Sequence, residues 1–307
     1  MLRVRAALMA RVRAFFAGRG YLEVETPLLA HAGAADAQIG QFVVNDPVYG
    51  TLYLQTSPEY AMKRLLLTGA GSIFQVSKAF RQGEVGRFHN PEFTLVEWYG
   101  AGYDRARLIE ETCQLLGELI PDLACAPRIV AWAELFRELI GIDPLAEPTE
   151  LLLQAAYDWV PSARGLTLED RDSILDLLMS TALAPRFADD RLTVVVDYPP
   201  SQAALACLNE AGLADRFEVY GGALELANGF CEAVHHDEYA HRFAQEARKR
   251  QTRGLPAIAR DERLLRGLAH APLPPCAGCA LGFDRAVMLA TRASDIGTTL
   301  AFPIERA

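Results

Sequence analysis

Apolar residues recur at helical spacing near the amino terminus and again through much of the middle of the chain. Leu8 and Val12 lie on the first of these stripes, which predicts a helix over residues 2–17. The segment 104–184 has a mostly helical pattern that prolines interrupt several times. We therefore expect a helical insertion over about 104–184.

Short runs with a period of two indicate strands on both sides of the helical segment. The runs at 72–81 and 92–100 are joined by a loop that contains Gly83 and Gly86, which predicts a hairpin. Further strands are predicted at 21–25, 51–55, 192–197, 216–220, 223–227 and 276–282, and further helices at 57–67, 237–253 and 284–293. Because strands follow one another in hairpin order at both ends, we expect an α+β fold with a mostly antiparallel sheet of about six strands.

The overall composition is that of a globular protein. The 307 residues are 51% hydrophobic and 22% charged, which excludes a disordered, collagen-like or small disulfide-rich chain. Thirty basic residues against 39 acidic ones give a net charge of −9, so we do not expect non-specific binding to phosphate backbones to dominate. The chain is long enough for two domains or for one large domain.

The distribution of apolar residues and cysteines bears on location. No window reaches the roughly 18 uninterrupted apolar residues of a membrane span, and arginines interrupt the amino-terminal helix too often for a signal peptide. The six cysteines are scattered and do not form a disulfide framework. These features predict a cytoplasmic protein without membrane association.

The hairpin segment from Phe74 to Tyr99 holds the densest set of candidate functional residues. On its second strand a period of two places Phe93, Glu97 and Tyr99 on one face, which suits ring stacking and cation binding. Arg81 starts the connecting loop, and a guanidinium binds phosphate through two hydrogen bonds. A sheet face with one exposed acid is the alternative, but the convergence of these residues on one hairpin favours a ligand site.

Two further segments combine candidate ligands with turn-forming or small residues. Glu225 and Glu232, seven residues apart, flank the apolar sequence Leu-Ala-Asn-Gly-Phe, and two carboxylates bind Mg²⁺ together with phosphate oxygens. The segment 278–285 joins a strand of small residues, which permits close approach of a ligand, to a helix start, where anions are favoured. Taken alone, the first could be a pair of solvated acids, and the second is a weak signal.

Together these segments resemble the motifs of class II aminoacyl-tRNA synthetases, and those of the lysyl-specific branch most closely. The hairpin resembles motif 2, residues 225–232 resemble the metal and substrate segment, and residues 278–285 resemble motif 3. Upstream, GYLEVETPLL (20–29) resembles motif 1, and TSPE (56–59) resembles the amino-acid-binding turn. Five motifs in order across nearly the whole chain imply the class II catalytic fold, with helices flanking the sheet.

One feature of lysyl-tRNA synthetases has no counterpart here. Motif 1 begins within the first 30 residues, which leaves no room for the amino-terminal OB-fold that reads the anticodon. We therefore expect one catalytic domain over 1–307 and no anticodon-binding domain. In this respect the chain resembles the elongation factor P–(R)-β-lysine ligase family, stand-alone paralogues of lysyl-tRNA synthetase.

The resemblance implies a reaction and its partners. Members of that family use ATP to activate (R)-β-lysine as an adenylate and transfer it to a lysine side chain of elongation factor P, with no protein nucleophile. We accordingly expect ATP and Mg²⁺ as cofactors, elongation factor P as the acceptor, a homodimer formed through motif 1, and no stable tRNA binding.

The resemblance also implies a role for individual residues. Arg81 and Arg285 would be the catalytic arginines that clamp the ATP phosphates, and Phe93 would stack on adenine. Glu225 and Glu232 would hold Mg²⁺, and Glu232 would also face the substrate amine. The implied ATP-binding set is Arg81, Gln82, Gly83, Asn90, Phe93, Glu225, Leu226, Gly282 and Arg285, and the implied substrate-binding set is Ser57, Pro58, Glu59, Tyr99, Glu232 and Ala280.

Two positions depart from the family patterns. Where motif 2 reads Arg-x-Glu, this chain has Gly83, with Glu84 one position later, so either Glu84 swings in or the contact is lost. Ala280 stands where lysyl synthetases have glycine. Its methyl group either crowds an α-amino group and favours a β-amino acid, or merely packs beneath the sheet.

Other candidate sites and functions compete with this interpretation. Cys276 and Cys279 form a CxxC without a second pair, so we expect buried packing residues and not a zinc or redox centre. The adjacent histidines His235 and His236 are expected at the surface, whereas His89, inside motif 2, is a candidate ligand contact. A truncated lysyl-tRNA synthetase, a lysine-activating enzyme with another acceptor, and a non-catalytic regulatory paralogue remain alternative functions, and Gly83 keeps the last one open.

Overall fold

The computed structural model describes residues 1–166, 168 and 170–307. The helices within these residues are α1 (Leu2–Ala17), α2 (Glu59–Leu67), α3 (Arg105–Leu119), α4 (Trp132–Ile140), α5 (Thr149–Trp159), α6 (Arg171–Leu177), α7 (His236–Thr252), α8 (Glu262–His270) and α9 (Phe283–Thr291). The strands are β1 (Leu22–Glu23), β2 (Leu29–Ala30), β3 (Val43–Asp46), β4 (Gly50–Leu54), β5 (Ile73–Phe80), β6 (Glu92–Ala101), β7 (Arg128–Ala131), β8 (Leu192–Tyr198), β9 (Ala214–Gly221), β10 (Leu224–Cys231) and β11 (Cys276–Gly282).

Eight of these strands form one sheet in the order β1-β5-β6-β11-β10-β9-β8-β7. The six inner strands pair antiparallel with one another, while β1 and β7 add to the two edges in parallel. A separate three-stranded sheet contains β2, β4 and β3. The α+β class and the mostly antiparallel sheet are therefore confirmed.

β7 is the strand of the large sheet that the sequence does not predict, whereas β1 lies within the strand predicted at 21–25. β7 has four residues, too few to display a clear period of two, and pairing with β8 makes it extended. The strand predicted at 51–55 forms β4 of the small sheet instead. The boundaries of the inner strands agree with prediction to within a few residues, and β11 agrees at both ends.

One face of the sheet is covered by α1, α3 and α9. Apolar side chains from these helices, including Phe16, Leu108 and Val287, pack against Trp98 and Phe217 of the sheet in the largest buried cluster. Burial of large apolar surfaces of this kind supplies the main favourable contribution to folding. This face is closed to ligands.

The opposite face is covered by two separate groups of helices. The α4–α6 group packs over β8 and β9, while α2, α7 and α8 pack near β5 and β11. Between the two groups a cavity of about 1380 Å³ opens over the middle of the sheet. The strands on its floor are the ones that contain the predicted motifs.

The segment predicted as a helical insertion divides between the two faces. Helix α3 belongs to the core with α1 and α9, whereas α4–α6 form their own cluster, and β7 lies between them. The insertion and the single-domain organisation therefore stay predictions. None of the described helices is long and apolar enough to cross a membrane.

Candidate active site

The floor of the cavity is built from β6, β11, β10 and β9 in register. On each strand the alternate residues face the cavity, because their neighbours, such as Trp98 and Cys279, belong to the core on the other side. Direct cross-strand pairing produces two rows, the first of Tyr99, Gly278, Phe230 and Arg216, and the second of Glu97, Ala280, Asn228 and Glu218.

Small residues in the middle strand leave room above these rows. A Cβ atom at Gly278 would lie 2.4 Å from Cε1 of Tyr99 and 2.8 Å from Oε1 of Glu232, so only glycine permits this approach. Ala280 lies directly between Glu97 and Asn228 and lines the cavity. This position is compatible with contact to a substrate, and the role of Ala280 in substrate selection stays a prediction.

At one end of the floor, the buried carboxylate of Glu97 is held by two hydroxyl groups. Its side chain accepts hydrogen bonds from the hydroxyls of Ser57 and Tyr99, each at 2.7 Å, and the residue is 3% exposed. Burial, reinforced by the nearby Glu59, raises the pKa of Glu97 to about 7, although both hydrogen bonds act in the opposite direction. The sequence pattern predicts Glu97 on this face, but the implied substrate-binding set does not include it.

The Ser57–Glu59 turn positions two of the predicted substrate-binding residues. Helix α2 begins at Glu59, with Pro58 as its N-cap, two residues later than the predicted start at 57. Ser57 nevertheless accepts the Glu59 N–H at 3.1 Å while its hydroxyl donates to Glu97. This hydroxyl therefore links the start of the helix to the floor of the cavity.

Lys63 joins the same turn to the end of β10. Its Nζ lies 2.6 Å from Oε1 of Glu59 and 2.6 Å from Oε2 of Glu232, and the side chains of Lys63 and Glu232 are both 0% exposed. Burial raises the pKa of Glu232 to about 8, against the opposing effect of Lys63. Sequence analysis missed Lys63, although its i,i+4 spacing from Glu59 is that of a helical ion pair. We call Ser57, Glu59, Lys63, Glu97, Tyr99 and Glu232 the amine pocket.

A β-bulge explains why two acids separated by an odd number of residues lie on the same face of the sheet. In a regular strand, Glu225 and Glu232 would point to opposite faces. Pairing with β9 shifts between Glu225 and Ala227, so Leu226 is the extra residue and the alternation reverses beyond it. Leu226 itself is buried in the core.

At the other end of the floor, Arg285 connects β10 to the motif 2 loop. Its Nη1 donates to the carbonyl oxygen of Glu225 at 2.8 Å and lies 3.8 Å from Oε2 of the same residue. Its Nη2 is 2.7 Å from Nε2 of His89, and burial together with this guanidinium lowers the pKa of His89. Partial burial and repulsion by Glu218 raise the pKa of Glu225, whose side chain remains 40% exposed.

Arg81 approaches the same end from β5. Its guanidinium lies 5.1 Å from the centre of the Phe93 ring, and its Nη1 is 3.6 Å from Oε1 of Glu84. Gly83 has a φ of +85°, a left-handed conformation that favours glycine over glutamate. Glu84 lies beside the arginine, but whether it takes over the contact of the motif 2 glutamate stays a prediction. We call Arg81, Phe93, Glu225 and Arg285 the arginine end.

The remaining predicted nucleotide-binding residues form hydrogen bonds or turns that order the backbone around the site. The Asn90 side chain donates to the carbonyl of Glu92 at 2.6 Å and accepts the N–H of Ile304 at 3.0 Å, so it orders the segments beside the site. The Gln82 N–H donates to the carbonyl of Gly40 at 3.0 Å. Gly282 is the N-cap of α9, three residues before Arg285.

Two polar networks that support the site have no clear signal in the sequence. Arg216 bonds Glu218 at 2.5 Å and Asn228 at 3.0 Å on the floor of the cavity. Asp284 accepts Arg5 at 2.5 Å and the Thr94 N–H at 2.6 Å, which fixes α9 to α1 and β6. The Asp284 network joins residues that are far apart in the chain, and the Arg216 network depends on the register between β9 and β10.

The cysteine and histidine pairs behave as packing and surface residues. Cys276 and Cys279 are buried free thiols whose pKa values are raised by burial, and His235 is exposed at the start of α7. Across residues 1–166, 168 and 170–307, no group of three or more His, Cys, Asp or Glu side chains is arranged to hold a metal ion. A metal bound here would therefore need ligands from a substrate.

Comparison with known proteins places this architecture in context. The model of the family of class II tRNA synthetases (D, K and N) matches residues 1–306. The elongation factor P–(R)-β-lysine ligase of Yersinia enterocolitica is 44% identical over 310 residues, covering 99% of this chain and 94% of that protein. The proteins of the same name from Klebsiella pneumoniae and Salmonella dublin are 44% and 43% identical over 311 residues, with the same coverage.

Proposed function

The chain belongs to the class II tRNA synthetase family and, within it, to the group of elongation factor P–(R)-β-lysine ligases, and from this premise we propose its reaction. It activates (R)-β-lysine with ATP and transfers the aminoacyl group to a lysine side chain of elongation factor P. The relatives named for this activity are similar over nearly their whole length, which supports the ligase over a regulatory paralogue.

The observation that supports this function best is the opposite character of two neighbouring groups on one face of the sheet, of which Arg81 and most of the amine pocket line the cavity. The arginine end presents two guanidinium groups and an aromatic ring, which suit the phosphates and base of ATP. The amine pocket presents buried carboxylates, which suit the ammonium groups of a diamino acid. An amino acid bound with its amines in the pocket has its carboxylate directed toward the arginines.

The first step is nucleotidyl transfer. A carboxylate oxygen of the amino acid attacks the α-phosphorus of ATP, a new P–O bond forms, and the bond to the departing pyrophosphate breaks. Arg81 and Arg285 bind the phosphate oxygens and stabilise the charge that develops on them. Catalysis then depends on positioning and charge neutralisation, because no protein nucleophile is required.

The second step is acyl transfer. The ε-amine of the acceptor lysine attacks the carbonyl carbon of the adenylate, a C–N bond forms, the bond to the phosphate oxygen breaks, and the amine loses a proton as AMP leaves. The net charge of −9 argues against a phosphate-backbone track for tRNA. Elongation factor P is instead recognised as a folded protein that presents a lysine.

Magnesium supplies neutralisation of the β- and γ-phosphate charge in this reaction. Mg²⁺ is typically held by one or two carboxylates together with substrate phosphates, so the absence of a preformed cluster among the described residues is compatible with it. The two predicted ligands fit this role unequally. Glu225 is partly exposed beside Arg285, whereas Glu232 is buried with only Oε1 left for a second cation.

We propose that the protein is cytoplasmic. We also propose that it forms a homodimer through the motif 1 segment. Leu2 on α1 is 64% exposed, and Leu22, Leu28 and Leu29 in the motif 1 sequence are each at least 40% exposed. Apolar side chains clustered at a surface favour burial against another protein. A second copy of this chain, with the same segment, is the proposed partner.

Pyrophosphate exchange measured with each amino acid tests the proposed activity. We expect ATP–pyrophosphate exchange that depends on a diamino acid, with (R)-β-lysine preferred over α-lysine. Exchange with neither amino acid, in a folded protein with Mg²⁺ present, would support the regulatory paralogue instead.

A further inference from the structure

Lys63 occupies an unusual place in the amine pocket. Its side chain is fully buried, with Nζ 2.6 Å from a carboxylate oxygen of Glu59 and 2.6 Å from one of Glu232. The rings of Phe230 and Tyr239 lie 5.3 Å and 5.2 Å from the same nitrogen. The ammonium is therefore enclosed by two carboxylates and two aromatic rings and does not itself reach solvent.

Packing alone does not explain a charged group at this position. Methionine has a similar length and would fill the space beside Met62 and Leu66 without the cost of burying a charge. Replacing buried ion pairs by apolar residues is often neutral or stabilising. The ammonium instead has a direct consequence for the carboxylates, which would repel each other without a cation between them.

The free oxygen of Glu232 shows where a ligand would bind. Nζ of Lys63 lies 2.6 Å from Oε2 of Glu232 as an ion-pair contact. Neither Glu232 oxygen has a hydrogen-bond partner among the described residues, so Oε1 has no polar partner of either kind. A Cβ on Gly278 would come within 2.8 Å of this Oε1, so the glycine keeps the space beside it open. The ion pair thus fixes the orientation of a carboxylate whose other oxygen remains available.

The formal charge of the pocket also matches a diamino acid. Glu59, Glu97 and Glu232 bring three negative charges and Lys63 one positive charge, a net charge of −2. A diamino acid carries two ammonium groups, and its carboxylate is directed toward the arginine end. Without Lys63 the pocket would hold one uncompensated negative charge.

We propose that Lys63 is a positioning residue for amino-acid binding: its ammonium holds Glu59 and Glu232 together and orients the free oxygen of Glu232 toward a substrate ammonium group. This role rests on the proposed function, because it requires a diamino acid as the substrate. It assigns Lys63 no contact with ATP.

The variant Lys63→Met tests this role in steady-state pyrophosphate exchange with (R)-β-lysine. Loss of a buried, charged hydrogen-bonding partner should raise the KM for the amino acid by at least ~30-fold. The KM for ATP should stay at the wild-type value. General loss of structure would raise both KM values, so an effect on the amino acid alone would indicate a local role. Lys78→Met, which removes an exposed ion pair to Glu92 on the same sheet, is the matched control and should leave both KM values unchanged.

The Glu232→Gln background keeps the test decisive if Lys63→Met alone does not fold. The double variant removes the fully buried ion pair and leaves only Glu59, whose side chain is 24% exposed, without its cation, so it is expected to fold. In that background Lys63→Met should change the KM for the amino acid by less than about fivefold, because the carboxylate that Lys63 orients is already neutral.

Three results would overturn the proposal. The first is a wild-type KM for the amino acid in folded Lys63→Met, and the second is an equal rise in the KM for the amino acid and the KM for ATP. The third is that Lys63→Met raises the KM for the amino acid as much in the Glu232→Gln background as in the wild-type background. Exchange by the wild-type protein in the same assay tests the proposed function separately. If the wild type activates no diamino acid, both proposals fail.

Discussion

The arginine end and the amine pocket differ in how deeply their charged side chains are buried in the absence of a ligand. At the arginine end the side chains of Arg81 and Arg285 remain 30% and 21% exposed, and Glu225 is 40% exposed. In the amine pocket Lys63 and Glu232 are 0% exposed and Glu97 is 3% exposed. One end presents charges to solvent, and the other holds them in a fixed, dry network.

This difference shows where each substrate gains its binding energy. Exposed charges are screened by water and salt and become strong only when a ligand excludes the solvent. Buried charges interact strongly from the start and are held in place by their neighbours. We therefore expect mutations at the arginine end to act on the rate of adenylate formation, and mutations in the pocket to act on the choice and affinity of the amino acid.

The largest expected effect is at the arginine end. Changing Arg81 or Arg285 to Ala should lower adenylate formation by ~10²-fold or more, because each removes an electrostatic contact that stabilises the transition state. Pyrophosphate exchange at saturating amino acid measures this loss. Arg292→Ala, an exposed arginine just beyond α9, is the control and should retain the wild-type rate. Near wild-type exchange in both active-site variants would argue against an enzyme.

A smaller effect is expected at the border between the two ends, where Ala280 lies beside Glu97. Ala280→Gly removes the methyl group and should improve activation of α-lysine relative to (R)-β-lysine by roughly 10–200-fold in the ratio of kcat/KM. Measuring both substrates with the same enzyme preparation determines the ratio. An unchanged ratio in a folded variant would exclude Ala280 from substrate selection.

The pH dependence of the two KM values should separate the two ends further. Glu97 and Glu232, with pKa values of about 7 and about 8, attract an ammonium group only when ionised, so the KM for the amino acid should fall at least about tenfold between pH 6 and pH 8. Glu97 is protonated more readily in the folded than in the unfolded chain, so its contribution to stability is largest at low pH and decreases as pH rises through 7. Affinity and stability should thus change in opposite directions, as kinetics and thermal melts would show. An amino-acid KM that is flat over this range would contradict the assignment of Glu97 to the pocket.

The smallest effect is expected from the exposed ion pair in the motif 2 loop. Glu84 lies 3.6 Å from Arg81, and both side chains are about one-third exposed. Glu84→Gln should change the KM for ATP by less than about fivefold, as is typical of exposed ion pairs. A loss as large as that of Arg81→Ala would mean that Glu84 replaces the missing motif 2 glutamate in full.

The arginine end was more accessible to sequence analysis than the amine pocket. Arg81 and Arg285 lie in short segments that resemble motifs 2 and 3, and this resemblance implies their roles. Lys63 has an ordinary helical position, and its meaning depends on Glu232, which lies far along the chain. The bulge at Leu226 has no local signature either, although it decides that Glu225 and Glu232 share a face.

Transfer of the activated amino acid tests the central claim most directly. The protein is incubated with ATP, Mg²⁺, (R)-β-lysine and purified elongation factor P, with total tRNA as a competing acceptor, and both acceptors are analysed by mass spectrometry. We predict that elongation factor P gains one β-lysyl group on a lysine side chain while tRNA remains uncharged. Efficient charging of lysine tRNA with no modification of elongation factor P would contradict the account.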